Sequence, residues 1–414
     1  MLQKPRGTRD FLPDEMEQRR EIEMRMRKVA RNWGYREICT PTFETQELYV
    51  LRSGEGIINE MYTFEDKGGR KLALRPEGTA AVIRMYVNEA KVLSKPLRWC
   101  YLSDCYRYER PQKGRYRQFW QFGAEQIGAD TPAGEAEIIL LAYELLKSTG
   151  VRFELHIGHL APMKHILSEL SDADRKAVMA LLDKKNFEDL KKYLEGINAA
   201  GLYDSLIKLI ECKNIDEAIE LCNNCGVSSD MPDKDRMKEL IAIIDSQNID
   251  YKLNLGIVRG LDYYTGMVFE GFADNLGAEN QILGGGSYRL AHLFGGDDTA
   301  TCGFGIGFDR VMVSLGEVRP AKSPTVAVVY TADVAGYAFS TAKELRNSGI
   351  NTELNLLDRG IGAQMKYAAK TADYAVVIGA REAAAGTINL KDLKSGEQRE
   401  CKVANAIGII CSEK

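Results

Sequence analysis

Hydrophobic residues near the start of the chain recur at helical spacing and then give way to strand-like runs. An apolar stripe at steps of three and four predicts an amphipathic helix over residues 14–33, followed by a short strand over 35–40. The stripe consists of Ile22, Met26, Val29 and Trp33. Two explanations suit such a stripe beside a sheet edge: packing within one chain, or the interface of a two-fold dimer.

Two short apolar runs, residues 61–64 and 72–75, flank an Asp-Lys-Gly-Gly turn and predict a hairpin. Pro76 ends the second run, and Thr79 is expected to cap a helix that follows. Glu77 and Thr79 would then lie at a strand-to-helix turn, where a carboxylate and a hydroxyl can face an ammonium group. The alternative is that Thr79 is only a cap and Glu77 only a surface acid.

Residues 98–125 predict two strands joined by a basic loop over 110–116. Because side chains alternate along a strand, the second strand has one mixed face and one mostly apolar face. The mixed face carries Arg117, Phe119, Gln121, Gly123 and Glu125, and the apolar face carries Gln118, Trp120, Phe122 and Ala124. Arg107 and Glu109 share a face of the first strand. Both charge signs beside a basic loop suit a zwitterionic small molecule next to a polyphosphate, although a salt-bridged solvent face has the same composition.

Helical spacing dominates residues 163–248, where charged residues alternate with leucines. A helix over 134–146 and a strand over 151–157 precede this segment, and sheet character resumes at 253–270. We therefore interpret residues 163–250 as a helical insertion in a sheet-containing domain.

The run Arg-Gly-Leu-Asp-Tyr-Tyr-Thr-Gly at residues 259–266 is unusually polar for a pair of strands. Tyr263 and Tyr264 would supply rigid walls whose hydroxyls donate and accept hydrogen bonds. Residues 283–288 predict a glycine-rich connector that lets the backbone approach a ligand. A helix predicted over 308–315 carries Arg310 in its first turn, where a guanidinium can stack on a base or bind phosphate.

The composition of residues 319–324 is that of a linker, and strands alternate with helices beyond it. Strands are predicted over 325–330, 352–357 and 374–378, helices over 335–348 and 362–371, and a hairpin at the end. This alternation predicts a separate three-layer α/β domain at 324–414, after a first domain at 1–323.

Composition limits the possible classes of protein. With 414 residues, a net charge of -4 and a pI near 5.8, the chain is long enough for two or three domains and is not basic overall. The N-terminus lacks an apolar signal core, and no apolar run is long enough to cross a bilayer. The nine cysteines suggest reduced thiols, and the lone pair Cys222 and Cys225 lacks the two further ligands of a zinc site.

Together these motifs resemble those of class II aminoacyl-tRNA synthetases, and most closely those of the histidyl-tRNA synthetase family. The first helix, strand and Pro41 resemble motif 1, Arg-Tyr-Glu at 107–109 with the following strand resembles motif 2, and residues 305–310 resemble motif 3. The runs at 259–266 and 284–288 resemble the two histidine-specific motifs. The resemblance covers nearly the whole chain, and the helical insertion is recognisable only by its place.

The resemblance implies an α+β catalytic domain, with an antiparallel sheet flanked by helices, followed by a small α/β anticodon-binding domain. It implies a ligase that activates L-histidine with ATP to histidyl-adenylate and pyrophosphate and then transfers histidine to the 3′ end of tRNA(His). It also implies Mg²⁺ carried with ATP rather than in a dedicated protein site, a homodimer, and a cytoplasmic enzyme with no membrane attachment.

The resemblance assigns roles to particular residues. Arg107 would hold the α-phosphate of ATP, and Arg259 would act on the α-phosphate and carboxylate oxygens during attack. The implied ATP-binding residues are Arg107, Glu109, Arg110, Arg115 and Arg310. The implied histidine-binding residues are Glu77, Thr79, Arg107, Gln121, Glu125, Arg259, Tyr263, Tyr264 and Tyr288. Among them, Glu125 and Tyr264 would bind the two imidazole nitrogens.

The chain departs from the family pattern at two places. The glycine-rich motif continues Ser287-Tyr288-Arg289, where the family usually has Arg-Tyr-Asp, and the last helix looks short or missing. Three alternatives remain open: a non-catalytic histidine-binding regulator on the same fold, a class II ligase for another amino acid, and a bare RNA-binding protein. An exchange assay with all twenty amino acids identifies a ligase for another amino acid, and a lack of histidine-dependent exchange would favour the regulator.

Overall fold

The computed structural model describes residues 2–110, 114–227, 230–258, 263–276, 280–320 and 323–412. The chain divides into two compact units, Met1–Arg319 and Pro320–Lys414. Each unit has its own sheet and its own hydrophobic core. Among the described residues, no helix has both the length and the apolar character that a bilayer span requires.

The predicted helices and strands of the first unit are present, together with a strand over Phe43–Thr45 and a helix over Gln46–Ser53 that were not predicted. The strand before the basic loop ends at Tyr106, so Arg107 and Glu109 lie beyond it rather than on one of its faces. The helices are α1 Pro13–Asn32, α2 Gln46–Ser53, α3 Thr79–Met85, α4 Pro132–Thr149, α5 Leu160–Ile166, α6 Asp172–Asp183, α7 Phe187–Gly196, α8 Leu202–Glu211, α9 Ile215–Asn223, α10 Lys234–Asp245 and α11 Phe308–Leu315. The strands are β1 Arg36–Glu37, β2 Phe43–Thr45, β3 Thr63–Glu65, β4 Lys71–Leu74, β5 Leu97–Tyr106, β6 Gln118–Ile127, β7 Phe153–His159, β8 Lys252–Leu253, β9 Tyr264–Ala273, β10 Gln281–Tyr288 and β11 Thr301–Gly307.

Eight described strands form the main sheet, in the order β1-β5-β6-β11-β10-β9-β7-β8. The six central strands are antiparallel, as expected, whereas the edge strands β1 and β8 pair in parallel with their neighbours. Helices α1 and α4 cover one face. Ile22 and Met26 of α1 have no exposed surface and join the same core as Phe122 and Phe304 of the sheet. The apolar stripe of α1 is therefore explained by packing within the chain.

The glycine-rich run that was expected to be a connector is instead the central strand β10. Residues 283–286 pair with β11 on one side and with β9 on the other, so their backbone groups are hydrogen-bonded within the sheet. Glycine has a low strand propensity, but backbone pairing on both sides outweighs that propensity here. The expected hairpin is present, because β3 pairs with β4, and β2 extends it to a small three-stranded sheet.

Helices α5 to α10 lie between the neighbouring strands β7 and β8 in the sequence and form a second core of their own. Met163, Leu194 and Leu209 are among its fully buried members. This core continues to the sheet through α5, which contacts β9. The helical insert therefore rests directly against a strand of the main sheet.

The second unit is a three-layer α/β domain, as predicted. Its elements are β12 Thr325–Tyr330, α12 Ala335–Asn347, β13 Asn351–Leu354, α13 Ile361–Thr371, β14 Tyr374–Ile378, α14 Ala380–Ala385, β15 Ile388–Asp392, β16 Gln398–Cys401 and α15 Val403–Ser412. The sheet order is β13-β12-β14-β15-β16, with the first three strands parallel. Helices α12 and α15 cover one face and α13 covers the other.

The final helix, which was expected to be short or missing, is present. Helix α15 has ten residues, and Ala406 and Ile410 are fully buried against the core that α12 shares. Its apolar positions Val403, Ala406 and Ile410 keep helical spacing, and their burial closes this face of the sheet.

Candidate active site

The centre of the main sheet has one face formed largely by glycines. These glycines are Gly123 on β6, Gly303 and Gly305 on β11, and Gly284 and Gly286 on β10. A methyl group added at Gly303 would lie 1.6 Å from Glu125 Oε2, and one added at Gly305 would lie 2.1 Å from Gln121 Nε2. The glycines therefore provide the space that the longer side chains of Gln121 and Glu125 occupy.

Glu125 is fully buried within this face and has a hydrogen-bond partner for each carboxylate oxygen. The Thr79 hydroxyl donates to Oε1 at 2.8 Å, and the Tyr288 hydroxyl donates to Oε2. Burial raises the pKa of Glu125 to about 8, while the two hydroxyl donors act in the opposite direction. Glu125 is thus a carboxyl whose protonation can change near neutral pH.

Three tyrosines surround this carboxyl on the same side of the sheet. The ring centroids of Tyr263 and Tyr264 are 4.3 Å apart, and those of Tyr264 and Tyr288 are 6.4 Å apart. Burial raises the pKa of both Tyr264 and Tyr288 well above the ordinary value, so their hydroxyls remain protonated donors. We call the adjoining space of about 250 Å³ the tyrosine cavity, and it is lined in part by Gln121, Tyr263, Tyr264 and Glu270.

Glu77 is a buried helix cap rather than a surface acid. Its carboxylate accepts hydrogen bonds from the backbone N–H groups of Thr79 at 2.6 Å and Ala80 at 3.1 Å. The expectation that Thr79 caps α3 is wrong, because Thr79 is the first helical residue and its hydroxyl donates to Glu125 instead. This arrangement brings two of the predicted histidine-binding residues to one turn.

Sequence reasoning missed Arg52 and Tyr101. The guanidinium of Arg52 lies 3.6 Å from Glu77 Oε1 and 4.5 Å from the ring centroid of Tyr263. Tyr101 is buried, and a methyl group added at Gly123 would lie 2.2 Å from its ring. Neither residue stands in a recognisable motif, and strand alternation alone would have assigned Tyr101 to the same face as Gly123.

A second space of about 250 Å³ lies beside the first, and we call it the cation-lined cavity. Its charged lining residues are Arg107, Glu109, Arg115, Asp309 and Arg310. The two cavities share Gln121, Gln281, Gly284 and Gly305, so they adjoin above the glycine face. A polyanion in one cavity would therefore lie next to a polar ligand in the other.

The cations of this cavity are held by contacts with the protein. Arg107 Nε donates to the Pro76 carbonyl at 2.9 Å, and Glu109 lies 3.7 Å from both Arg107 Nη1 and Arg115 Nε. Arg310 Nη1 donates to the Gln281 carbonyl at 2.5 Å. Because these guanidiniums are already oriented, a phosphate group could bind them with little reorganisation.

The structure describes no contact of this kind for two of the residues predicted at the site, Arg110 and Arg259. Arg110 is exposed at the end of the β5 side of the basic loop, next to residues 111–113, which lie outside the described part of the chain. Arg259 also lies outside the described residues, as does the rest of the run 259–262. The assigned role of Arg259 therefore stays a prediction.

The N-terminal segment forms an unexpected part of the site's support. Asp309, next to Arg310, accepts hydrogen bonds from Arg9 Nη2 at 2.5 Å and Arg19 Nη1 at 2.8 Å. Its other oxygen accepts from the backbone N–H of Trp120 at 2.7 Å. One buried carboxylate thus joins the chain's start, strand β6 and helix α11.

Comparisons with known proteins match both units. Residues 7–311 match the family described as histidyl-tRNA synthetase, and residues 325–413 match the anticodon binding domain family. The histidine–tRNA ligase of Methanoregula boonei is 63% identical over 407 residues, which cover 98% of each chain. Apo histidyl-tRNA synthetase of S. aureus is 28% identical with a TM-score of 0.72, over 99% of this chain and 100% of that one. The Nostoc sp. enzyme, 22% identical with a TM-score of 0.83 over all of both chains, shares the fold.

A largely antiparallel sheet with arginines beside its glycine face, in a chain that also carries an anticodon-binding unit, defines a class II aminoacyl-tRNA synthetase. The chain belongs to the histidyl-tRNA synthetase family, and its reaction is the attachment of histidine to tRNA by way of a histidyl-adenylate. The resemblance found in the motifs is thereby confirmed. The regulator, the ligase for another amino acid and the bare RNA-binding protein do not agree with this degree of identity.

Proposed function

We propose that the tyrosine cavity binds L-histidine and the cation-lined cavity binds ATP, so that the adenylate forms where they adjoin. The observation that carries the proposal is the fully buried carboxyl of Glu125, which lies between Thr79 and Tyr288. Glu125 and Tyr264 take the two imidazole nitrogens, with Tyr263 and Tyr288 as walls. A site that hydrogen-bonds its substrate in this way rejects analogues without those groups by ~10⁴-fold.

The α-amino group of histidine binds at the turn before α3. Glu77 and Thr79 offer a carboxylate and a hydroxyl at this turn, and Gln121 offers its amide from β6. The oxygen atoms of all three groups are acceptors for an ammonium group. Glu77 is buried, and the Arg52 guanidinium lies close to both its carboxylate and the Tyr263 ring. These contacts support the assignment. The substrate carboxylate would then point towards the cation-lined cavity.

The guanidinium groups carry the chemistry of adenylate formation. A carboxylate oxygen of histidine attacks the α-phosphorus of ATP, and the bond to the pyrophosphate oxygen breaks. Negative charge is spread over a pentacovalent phosphorus during this step, so fixed cations stabilise the transition state. Arg107 holds the α-phosphate and Arg259 acts at the reacting oxygens. Glu109, Arg110, Arg115 and Arg310 bind the remainder of the nucleotide.

The terminal ribose hydroxyl of tRNA(His) then attacks the activated carbonyl and releases AMP. Because the phosphate serves as the leaving group, this step needs positioning of the hydroxyl rather than a nucleophilic side chain. The anticodon-binding unit would contribute to the choice of tRNA.

Mg²⁺ enters with ATP in this proposal. Glu109 is a carboxylate on the wall of the cation-lined cavity, which is the oxygen chemistry that Mg²⁺ accepts through its bound waters. Bound there, the ion would neutralise the β- and γ-phosphates. The arginines already hold Glu109 in place on that wall.

We further propose a homodimer and a cytoplasmic location. Phe43 and Phe64 form an edge-to-face pair on the small sheet and are about half exposed, as residues of a subunit interface would be in an isolated chain. All nine cysteines are free thiols, which suits a reducing compartment. Sedimentation velocity should show a dimer, and the double variant Phe43→Asp/Phe64→Asp should sediment as a monomer. An unchanged mass would place the interface elsewhere.

The function is tested by ATP–pyrophosphate exchange with each of the twenty amino acids. We expect exchange with histidine alone, and a loss of at least ~10²-fold in kcat for Arg259→His, because a fixed cation leaves the reacting oxygens. Arg381→His is the matched control, since Arg381 is exposed in the second unit. Exchange with another amino acid, or wild-type rates in Arg259→His, would contradict the proposal.

A further inference from the structure

Two cations of the helical insert contact the rest of the first unit: one contacts strand β9, and the other contacts helix α4. Lys164 on α5 donates from Nζ to the backbone carbonyls of Tyr264 at 3.3 Å and Thr265 at 3.0 Å. Arg236 on α10 forms a two-point ion pair with Glu135, with Nε 3.2 Å from Oε2 and Nη2 3.0 Å from Oε1. The first contact joins the insert to strand β9, and the second joins it to helix α4, which packs against the main sheet.

Glu135 connects Arg236 to strand β10. It is only 2% exposed, and its Oε1 also accepts a hydrogen bond of 2.6 Å from the Ser287 hydroxyl. Ser287 is followed directly by Tyr288, whose hydroxyl donates to Glu125. The Thr265 hydroxyl donates to the Ser287 carbonyl at 3.2 Å, which links the two strand ends. Contacts therefore run without a gap from Arg236 to the buried carboxyl of the pocket.

The sheet ladder is irregular at this point. The register between β10 and β9 shifts between Gly286 and Tyr288, because β9 has three residues, 265–267, opposite the single residue Ser287. On the other side of β10, Ser287 and Tyr288 keep regular pairs with β11. The extra residues belong to β9, so the direction of Tyr264 at the start of that strand depends on contacts outside the ladder, such as those of Lys164 with the Tyr264 and Thr265 carbonyls. Ser287 and Tyr288 point to opposite faces, so holding Ser287 against Glu135 fixes the direction of Tyr288.

We propose that Lys164 and Arg236 are positioning residues for the amino-acid pocket, through which the helical insert holds Tyr264 and Tyr288 in place for histidine. The inference deepens the proposed function, because it rests on the role given to these tyrosines there. It assigns the insert a part in histidine binding, separate from any contact it makes with tRNA.

The test measures KM for histidine, KM for ATP and kcat in ATP–pyrophosphate exchange for Lys164→Met and Arg236→Gln. We expect KM for histidine to rise about tenfold in each, the size of one lost charge-assisted hydrogen bond. KM for ATP should stay within about twofold, because the cation-lined cavity is not touched. Lys238→Met is the matched control. Lys238 lies on α10, the helix of Arg236, and pairs with Asp216 inside the insert.

Two further variants separate the expected effect on histidine binding from a loss of folding. Arg236→Gln leaves Glu135 buried without its cation, so the chain could fail to fold for that reason alone. Ser287→Ala removes the hydrogen bond between Ser287 and Glu135 without any change of charge. The double variant Arg236→Gln/Glu135→Gln leaves no unpaired carboxylate. Both variants should fold by thermal melting and show the raised KM for histidine.

Three results would overturn the inference: an unchanged KM for histidine in folded variants, equal rises in both KM values, or an effect of Lys238→Met as large as that of Lys164→Met. A wild-type chain without histidine-dependent exchange would instead contradict the proposed function itself. The two failures are thus distinguishable.

Discussion

The carboxyl of Glu125 has no exposed surface, and its burial changes both its charge and its effect on stability. Its pKa of about 8 in the folded chain lies above the ordinary value of 4.5, so the folded state holds the proton more tightly than the unfolded chain does. The stabilisation that this proton provides is complete at low pH and is lost as pH rises from about 4.5 through 8.

The free energy of unfolding of the wild type should therefore fall as the pH rises. We expect this fall to be steeper than that of Glu125→Gln by up to ~1.4 kcal/mol per pH unit. Urea unfolding at pH 5.5, 6.5 and 7.5 without histidine measures this difference. Glu188→Gln on the exposed surface of α7 is the control and should run parallel to the wild type. Parallel curves for Glu125→Gln as well would contradict the assigned protonation.

Gly303 is the glycine of the site face that leaves least space for a side chain. A methyl group there would lie 1.6 Å from Glu125 Oε2 and 2.7 Å from the Ala124 carbonyl, so Glu125 must move. Gly303→Ala should reduce histidine-dependent exchange by at least ~10²-fold, since the displaced carboxyl leaves buried hydroxyls without acceptors. Gly362→Ala, with open space around it, should keep wild-type exchange. Full activity in Gly303→Ala would contradict the proposed place of histidine.

At the scale of elements, the N-terminal segment holds strand β6 and helix α11 in place. The Gly7 carbonyl accepts from the Arg117 N–H at 2.9 Å, and the Arg9 guanidinium lies 3.4 Å from the Tyr116 ring centroid and pairs with Asp309. Arg117 and Tyr116 adjoin Arg115, and Asp309 adjoins Arg310. The segment therefore supports two of the residues proposed to bind ATP.

Arg9→Gln should lower the free energy of unfolding by about 1.5–3 kcal/mol, the usual contribution of a hydrogen bond to a charged group. It should also raise KM for ATP more than KM for histidine, because Asp309 and Tyr116 border the cation-lined cavity. Urea unfolding and exchange kinetics measure the two effects. Arg6→Gln, exposed on the same segment, should change neither value. A change confined to KM for histidine would show that the segment acts elsewhere.

At the scale of the whole molecule, the second unit offers a surface suited to unstacked bases. A space of about 270 Å³ beside β13 is lined in part by Leu356, Leu357, Arg359 and Tyr367, and Tyr367 is 51% exposed. Single-stranded RNA is commonly bound by bases stacking on aromatic side chains beside arginines.

Tyr367→Ala should raise KM for tRNA(His) in the charging reaction by about tenfold or more, since stacking contributes about 1–3 kcal/mol per base. ATP–pyrophosphate exchange needs no tRNA and should be unchanged. Phe339→Ala removes another half-exposed aromatic side chain of the same unit, on α12, and is the control. Equal charging by wild type and Tyr367→Ala would remove this surface from the RNA contact.

The sequence by itself determined the elements with clear periodicity and indicated the family through its motifs. Helix α11 and strands β12 and β14 have the predicted bounds, because their apolar spacing is set locally. The mixed face of β6 indicated Glu125 from strand alternation, whereas Tyr288 was assigned only through the family resemblance.

Only the tertiary structure decided what depends on contacts between distant segments. The glycine-rich run became a strand because β9 and β11 pair with it, and Glu77 rather than Thr79 caps α3 because Glu125 takes the Thr79 hydroxyl. Arg52 came to the pocket with no motif around it. Pairing partners and burial are properties of the folded chain, so local patterns specify the residue types at the site but not all of their neighbours.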